Sequence, residues 1–173
     1  LRVIERAAAL DPLNPRVFRA KALTLISARR PQDAIEAARK ALAMNAQLSG
    51  THGYLGLALV LTGKAVEAKA EFAAEPNLSA RLAGLAITER TLGNAAAADA
   101  AFAELVRARG DAANYQQAQV LAQKGDVDAA LAALERAHAM GDGGMSGIGN
   151  DPWLDPLRDQ PRFKQLLLQM GLA

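Results

Sequence analysis

Few side chains in this sequence have the chemistry and the spacing of a catalytic or metal site. There are only two histidines, His52 and His138, and there is no cysteine. A zinc site needs three or four nitrogen, sulfur or carboxylate ligands close together, and neither histidine has enough such neighbours. We therefore predict structural roles for both histidines and no bound metal.

The glycine-rich stretch at 141–149 has the composition of a phosphate-binding loop but not its pattern. The ordered glycines, lysine and hydroxyl residue of a phosphate loop are missing, and no strand precedes the stretch. Ser146 is not part of a nucleophile elbow, because Ile148 stands where the second glycine is needed. Nearby aspartates lack the spacing of a calcium loop: Asp142, Asp151 and Asp155. We predict a flexible connection here, with no cofactor and no catalytic residue, so the chain is not expected to be an enzyme.

Composition and charge narrow the classes of function. The net charge of +2 is too small to predict nucleic-acid binding. Hydrophobic residues make up 51% and aromatic residues 4%, so the core must consist mainly of alanine, leucine, valine and isoleucine. No apolar run approaches the ~20 residues that span a bilayer, so no membrane insertion is expected. We expect a cytoplasmic protein, or a periplasmic one if a transmembrane helix precedes this segment in a longer parent. The sequence does not predict an oligomeric state.

The segment 52–72 predicts two short antiparallel helices, and it carries the clearest pattern of the chain. Its spacing is bulky-x2-Leu-Gly-x2-bulky followed by Ala-x3-Phe. Gly56 and Ala68 are small residues where paired helices approach most closely, and Gly63 supplies the tight turn between them. The pattern resembles the tetratricopeptide repeat, a helix pair of ~34 residues that stacks on its neighbours.

Related spacing recurs along the chain and implies an array of helix pairs. The step from Ala34 to Ala68 is 34 residues, whereas the step from Ala68 to Ala98 is 30, because Pro76 shortens the second unit. The expected organisation is a remnant second helix of a truncated repeat (1–14), four repeat units (15–48, 49–78, 79–110 and 111–144), and a loop with a C-terminal cap (145–173). The resemblance implies an all-α, right-handed superhelix, a solenoid of antiparallel helix pairs with a C-terminal capping helix.

The cap is predicted from the segment that follows the repeats. A final helix is expected from Pro161 to Met170, and a repeat array needs an end piece that covers its last apolar face. The residues expected to cover that face are Trp153, Leu154, Leu157, Phe163, Leu166, Leu167 and Met170.

The stretch from Glu75 to Leu172 is also similar to the C-terminal part of large bacterial regulatory proteins. Short motifs carry this resemblance: Arg81-Leu82-x-Gly84-Leu85-Ala86, Tyr115-Gln116-x-Ala118-Gln119-Val120, Leu134-Glu135-Arg136-Ala137-His138 and Asp151-Pro152-x2-Asp155-Pro156-Leu157-Arg158. In such proteins an adenylate-cyclase-like, winged-helix or kinase output domain precedes a tetratricopeptide array. The resemblance implies a regulatory or partner-binding segment of a signalling or transcription-regulatory protein.

In stacked helix pairs the first helices line a concave groove, and fixed repeat positions face into it. Those positions predict an apolar floor, with arginine at one end and a tyrosine and glutamine patch at the other. The predicted groove residues are Arg16, Arg19, Leu23, Leu57, Val60, Arg90, Tyr115, Gln119 and Gln123. A groove of this kind suits an amphipathic helix or an extended peptide with acidic residues.

Two functions therefore remain open from the sequence. The first is a non-catalytic interaction module that binds a protein or peptide in the groove. The alternative is a sensory domain for a small molecule or short peptide. A sealed pocket near Tyr115 and Arg90, in place of an open groove, would favour the alternative.

Overall fold

The computed structural model describes residues 1–172; Ala173, the last residue of the predicted 145–173 segment, lies outside the described residues. Within residues 1–172 the chain forms ten α-helices and no β-strand. The helices are α1 (Arg2–Leu10), α2 (Pro15–Ser27), α3 (Pro31–Met44), α4 (Thr51–Leu61), α5 (Ala65–Ala74), α6 (Leu78–Thr91), α7 (Ala95–Arg109), α8 (Asn114–Lys124), α9 (Val127–Ala139) and α10 (Pro161–Gln169). Short 3-10 turns lie at Gly110–Ala113, Gly143–Gly147 and Pro152–Leu157.

The helices from α2 to α9 form four consecutive pairs: α2–α3, α4–α5, α6–α7 and α8–α9. Proline occupies the first position of α2 and α3, where its missing N–H costs nothing and its fixed φ is already helical. The Asn14 and Asn77 side chains accept backbone N–H groups at the starts of α2 and α6. The structure is the all-α superhelix of helix pairs that the sequence predicts.

The turns inside the pairs share one geometry, and one of them has an unusual residue. Gly63, Gly93 and Gly125 lie at φ between +78° and +87°. In each case the next residue donates its N–H to the carbonyl five positions earlier, which closes the helix end. In the first pair Arg29 holds this position at φ +60°.

Phe72 is at the centre of the N-terminal core, which joins α2 to α8. Its ring packs against Gly56 and Gly84, where a Cβ atom would overlap it. The Trp153 ring packs against the Phe72 ring in a tilted arrangement, with the centroids 5.7 Å apart. The sequence predicted the close approach at Gly56, but it placed Trp153 in the cap.

The C-terminal core joins α8 and α9 to the last segment of the chain. Phe163 and Leu166 of α10 are buried with Leu134 of α9, so α10 caps the array as predicted. Met145 and Ile148 are buried in the same core. The glycine-rich stretch is therefore packed against the array, in contrast to the flexible connection that we expected.

The shortening of the second pair has a structural cause at Glu75. This side chain is fully buried, and its carboxylate accepts the backbone N–H groups of Gly50, Gly53 and Asn77 at 2.8, 2.9 and 2.9 Å. A carboxylate at the start of a helix satisfies free N–H groups and complements the helix dipole. The chain leaves α5 at Ala74 and places Glu75 between the starts of α4 and α6.

Candidate functional site

A cleft of about 380 Å³ lies between the first helices of the pairs and the returning C-terminal segment. We call this space the cleft. Its N-terminal wall consists of residues from α2, α4, α6 and the chain just before them, together with Phe72 of α5. Its C-terminal wall consists of residues from α8 and from 143–153. The lining comprises Leu23, Ile26, Ser27, Ser49, Gly50, Gly53, Tyr54, Leu57, Phe72, Asn77, Ala80, Tyr115, Gln116, Gln119, Gly143, Gly144, Ser146, Gly147, Asn150, Asp151, Pro152 and Trp153.

Asp151 organises the C-terminal wall. Its Oδ2 atom accepts hydrogen bonds from the Tyr115 hydroxyl at 2.8 Å and from the Gln119 amide at 2.6 Å. Its Oδ1 atom accepts a hydrogen bond from the Trp153 backbone N–H at 2.9 Å. Burial raises the pKa of Tyr115 far above its ordinary value, and the Asp151 charge raises it further. The tyrosine therefore remains a neutral donor, and it holds the aspartate in place.

Tight packing beside Tyr115 explains why the adjoining loop is rich in glycine. A Cβ atom at Gly144 would come within 2.6 Å of the Tyr115 ring, which is closer than real Cβ contacts allow. The Asp142 side chain accepts the Gly144 N–H at 2.8 Å and fixes the start of the turn. The loop can therefore lie directly on the tyrosine ring.

Trp153 joins the two walls. The side chain is 6% exposed and belongs to the N-terminal core, whereas the next residue, Leu154, belongs to the C-terminal core. The Trp153 carbonyl accepts the Gln123 amide of α8 at 2.8 Å. The indole N–H is buried and has no partner.

The N-terminal wall is mostly apolar and carries one arginine at its edge. Leu23 is 42% exposed and offers an accessible apolar surface. Arg19 donates from Nη1 to the carbonyl of Ser49, a lining residue, at 3.1 Å. Burial raises the pKa of the Tyr54 hydroxyl, and the positive charge of Arg19 opposes that effect.

The structure brings four of the nine predicted groove residues together in the lining of the cleft: Leu23, Leu57, Tyr115 and Gln119. Arg19 lies at the edge of the cleft, where it donates a hydrogen bond to the carbonyl of the lining residue Ser49. Gln123 does not line the cleft but donates a hydrogen bond to the carbonyl of Trp153 in the C-terminal wall. The other three are Arg16, Val60 and Arg90, and they do not line the cleft. That any of the nine binds a partner stays a prediction.

Arg90 illustrates how the predicted groove positions and the lining of the cleft differ. Its Nη2 atom lies 2.8 Å from Asp99 Oδ1, so the side chain turns towards α7, the second helix of its own pair. The sequence analysis expected Arg90 to face the concave groove from the third unit, and a role of Arg90 in binding stays a prediction. The only charged residue that lines the cleft among residues 1–172 is Asp151.

The sequence interpretation missed Tyr54, Trp153 and the polar loop residues as parts of this site. Trp153 carried a usable signal, because it is the only tryptophan in a chain with few aromatic residues. Its placement depends on the return of the C-terminal segment to the second pair, which repeat spacing does not encode.

A second depression of about 290 Å³ lies on α1, α2 and α3. Several of its charged side chains have partners: Arg30 pairs with Asp33 at 2.6 Å, and Lys40 lies 4.1 Å from the Phe18 ring centre. The cleft offers more apolar surface together with polar groups on both walls, so we consider it the candidate site.

The chemistry available in the cleft is hydrogen bonding and apolar contact. Amide and hydroxyl side chains of Gln116, Ser146 and Asn150 line it beside aromatic rings. Residues 1–172 contain no cluster of three histidine, cysteine, aspartate or glutamate side chains placed to hold a metal ion. In the same part of the chain, no helix is both long enough and apolar enough to cross a bilayer.

Comparison with known proteins gives the fold and not a sequence family. No protein-family model matches the chain, and no curated protein matches it significantly. Among solved structures, YrrB, described as a TPR protein with an unusual peptide-binding site, is similar with a TM-score of 0.54 and 17% identity, over 96% of this chain and 89% of that one. Pseudomonas aeruginosa pilF is similar with a TM-score of 0.56 and 18% identity, over 97% and 80% of the two chains. Helix pairing, stacking and these similarities together show that this chain has the fold of tetratricopeptide-repeat proteins.

Proposed function

We propose that this protein is a non-catalytic interaction module whose cleft binds a short, largely uncharged peptide segment. The observation that carries the proposal is the lining, where apolar surface on one wall faces amide and hydroxyl groups on the other. An extended peptide offers alternating side chains and unpaired backbone N–H and C=O groups, which such a lining satisfies. The solved fold of YrrB, described with a peptide-binding site, supports this class of ligand.

The charges in and around the cleft change the kind of partner that we propose, which the sequence alone suggested to be acidic. No lysine or arginine belongs to the lining, and Asp151 would repel a carboxylate placed beside it. An acidic residue of the partner fits best at the edge near Arg19. We therefore propose a ligand with an apolar centre over Leu23 and Leu57 and any negative charge at one end.

A second candidate function is the sensing of a small molecule or a very short peptide. It is favoured by the return of 143–153, which gives the concave surface a second wall next to Tyr115. The volume of about 380 Å³ lies within the range of small-ligand pockets, ~300–1,000 Å³. In either case the rigid helices reduce the ordering cost of binding.

The wider role that we propose is regulatory. The similarity of the stretch from Glu75 to Leu172 to bacterial regulators supports a segment that reports partner binding to an output domain of a larger signalling protein. We propose no direct contact of this segment with nucleic acid, because its net charge is only +2.

The test of the proposed function uses a displayed library of random heptapeptides, selected on the immobilised wild-type protein. Synthetic copies of the selected peptides are then titrated against Leu23→Glu and the matched control Val106→Glu. Leu23 and Val106 are both 42% exposed on helices, but only Leu23 lines the cleft. A buried charge without a partner costs several kcal/mol, so we expect Leu23→Glu to weaken binding at least about tenfold and the control to leave it within about twofold.

Equal affinities for the two variants would place peptide binding elsewhere and contradict the proposal. To test the second candidate, a library of small molecules is screened by thermal shift against the wild type and Leu23→Glu. Ligands that stabilise only the wild type, together with a peptide selection that yields no binder, would favour small-molecule sensing over peptide binding.

A further inference from the structure

The turn between α2 and α3 carries a residue that the turn itself does not favour. Arg29 is the one non-glycine residue with positive φ among residues 1–172, and its φ is +60°. Arg30 donates its N–H to the carbonyl of Leu25 at 2.8 Å, as Lys64 does to that of Leu59 in the next pair. The turn is thus the same one that glycine makes elsewhere in this chain. Because a side chain at positive φ is strained, the turn gives no reason for an arginine.

The side chain of Arg29 reaches across the molecule to the C-terminal segment. Its Nη1 and Nη2 atoms donate to the two carboxylate oxygens of Asp155, each at 2.6 Å. This parallel two-bond geometry is the strongest and most directional form of an arginine–carboxylate pair. It joins residues that are 126 positions apart.

Arg158 extends this contact into the wall of the cleft. Its Nε atom donates to Asp155 at 2.5 Å, and its Nη1 atom donates to the carbonyl of Gly149 at 2.7 Å. A third bond, from Nη2 to the carbonyl of Asp151, is 3.3 Å long. The network therefore connects the first helix pair to the backbone on both sides of the lining residue Asn150.

The C-terminal pair is attached to the earlier helices through α8 and through the Trp153 ring, which packs against Phe72. Among the earlier helices, α8 packs mainly on α6 and only slightly on α7, whereas in the earlier pairs each second helix packs closely on the next first helix. Gly110, at φ +48°, begins the 3-10 turn that separates α7 from α8. From α2 to α9, consecutive helices pack least closely at this joint, so a movement of the C-terminal wall relative to the N-terminal wall would occur here.

We propose that Arg29 is a positioning residue that acts through Asp155 as a latch, holding the C-terminal wall against the N-terminal wall and thereby setting the affinity of the cleft. The effect on affinity rests on the proposed function, whereas the movement of the wall does not. The contact with Asp155 gives the strained position a reason for an arginine, because a glycine there would have no side chain to reach the carboxylate. A partner bound in the cleft would be held more firmly while the latch is closed.

The indole proton of Trp153 gives a readout that needs no ligand. Trp153 is the only tryptophan, so its indole signal in an ¹⁵N–¹H correlation spectrum is unique. The buried indole N–H has no hydrogen-bond partner, so its exchange with water reports how often the wall opens. Exchange is measured in the wild type, in Arg29→Gly, Arg29→Lys and Asp155→Asn, and in the control Arg30→Gly.

Arg30 is a suitable control because its pair with Asp33 has the same shortest distance and nearly the same exposure, although it is a local pair to a single carboxylate oxygen. The Arg30–Asp33 distance is 2.6 Å with side chains 49% and 44% exposed, and the Arg29–Asp155 distance is 2.6 Å with side chains 47% and 43% exposed. Only the Arg29 pair touches the C-terminal segment. We expect Arg29→Gly and Asp155→Asn to speed indole exchange about two- to fivefold, as the loss of an exposed pair allows. Arg29→Lys should have an intermediate effect, and Arg30→Gly should have none.

The melting temperature of Arg29→Gly separates the latch from a purely structural role. Because glycine relieves the backbone strain, the latch predicts a melting temperature that stays level or rises, even though the wall opens more often. Equal exchange rates in the wild type, Arg29→Gly and Asp155→Asn would overturn the latch whether or not a peptide binds. For heptapeptides selected on the wild type, we expect about two- to fivefold weaker binding to Arg29→Gly. Unchanged peptide affinity together with faster exchange would overturn only the control of affinity by the latch and would leave the proposed function intact.

Discussion

The two hydrophobic cores of this protein are built in different ways. The N-terminal core consists almost entirely of helix faces, with glycine and alanine at the close approaches and Phe72 between Gly56 and Gly84. The C-terminal core uses α8, α9 and α10 but fills the rest from short 3-10 turns and the chain beside them, with Met145, Ile148, Leu154 and Leu157 buried. Repeat spacing accounts for the first core, whereas the second depends on single contacts such as those of Asp151.

This difference matters because Trp153 and Leu154 are consecutive residues that belong to different cores. A change in the C-terminal core should therefore reach the N-terminal core through this short turn and through α8, which contributes to both cores. The following predictions test how strongly the two cores are coupled, beginning with the largest expected effect.

The largest effect is expected for Phe163→Ala. Phe163 is fully buried, and removal of such a ring costs about 3–5 kcal/mol. Because Trp153 joins the cores, we expect helix content and tryptophan fluorescence to report the same lowered melting midpoint. Leu168→Ala on the same helix, where the leucine is 66% exposed, should change the midpoint little. A fluorescence midpoint that stays at the wild-type value while helix is lost would show that the cores unfold independently.

A smaller effect is expected for Gly84→Ala in the N-terminal core. A Cβ atom there would overlap Cδ1 of the buried Phe72 ring, and overpacking of this kind costs about 1–3 kcal/mol. Gly56→Ala should be milder, because its Cβ would lie 2.7 Å from Cε2 of the same ring. Urea unfolding measures both variants against Gly143→Ala, where a Cβ meets no atom within 4 Å. Equal midpoints for Gly84→Ala and Gly143→Ala would contradict the close packing at Phe72.

The smallest effect concerns the pH dependence of the contact between Arg29 and Asp155. Burial raises the pKa of Asp155, but hydrogen bonds from Arg29 and Arg158 outweigh it, so the pKa is below its ordinary value. A lowered pKa in the folded state means that the stabilisation is present above the unfolded pKa of about 3.9 and is lost as the pH falls through the folded pKa.

The measurement compares urea unfolding of the wild type and Asp155→Asn at pH 6 and at pH 3. At pH 6 we expect the free energy of unfolding of the wild type to exceed that of Asp155→Asn, by less than about 1 kcal/mol because the pair is exposed. At pH 3 we expect this difference between the two proteins to be smaller. A difference that is the same at both pH values would show that the Asp155 charge contributes nothing.

The regular part of the fold could be predicted because helix periodicity decides which residues face a neighbour. The pairing of α4 with α5, the close approach at Gly56 and the capping role of α10 all follow from spacing. The same reasoning placed Leu23 and Leu57 on the inner surface, where the structure has them.

The cleft itself could not be predicted, because it depends on the accumulated rotation of four stacked pairs. That rotation brings Asp155 to Arg29 and Trp153 to Phe72, and no local pattern encodes it. One signal was available in the sequence: the position 34 residues before Gly63 is Arg29, a substitution in an otherwise regular glycine column. Repeat position also could not show that Arg90 turns to Asp99, because rotamer choice responds to the nearest opposite charge.

The contact between Arg29 and Asp155 also limits how the length of this protein can change. In an open solenoid each unit touches only its neighbours, so units can be duplicated or lost with little effect on the others. Here Arg29 of the α2–α3 pair contacts Asp155 of the C-terminal segment. A further pair inserted between them would rotate that segment and move it away from Arg29. Duplication of one of the units that lie between Arg29 and Asp155 would therefore break this contact.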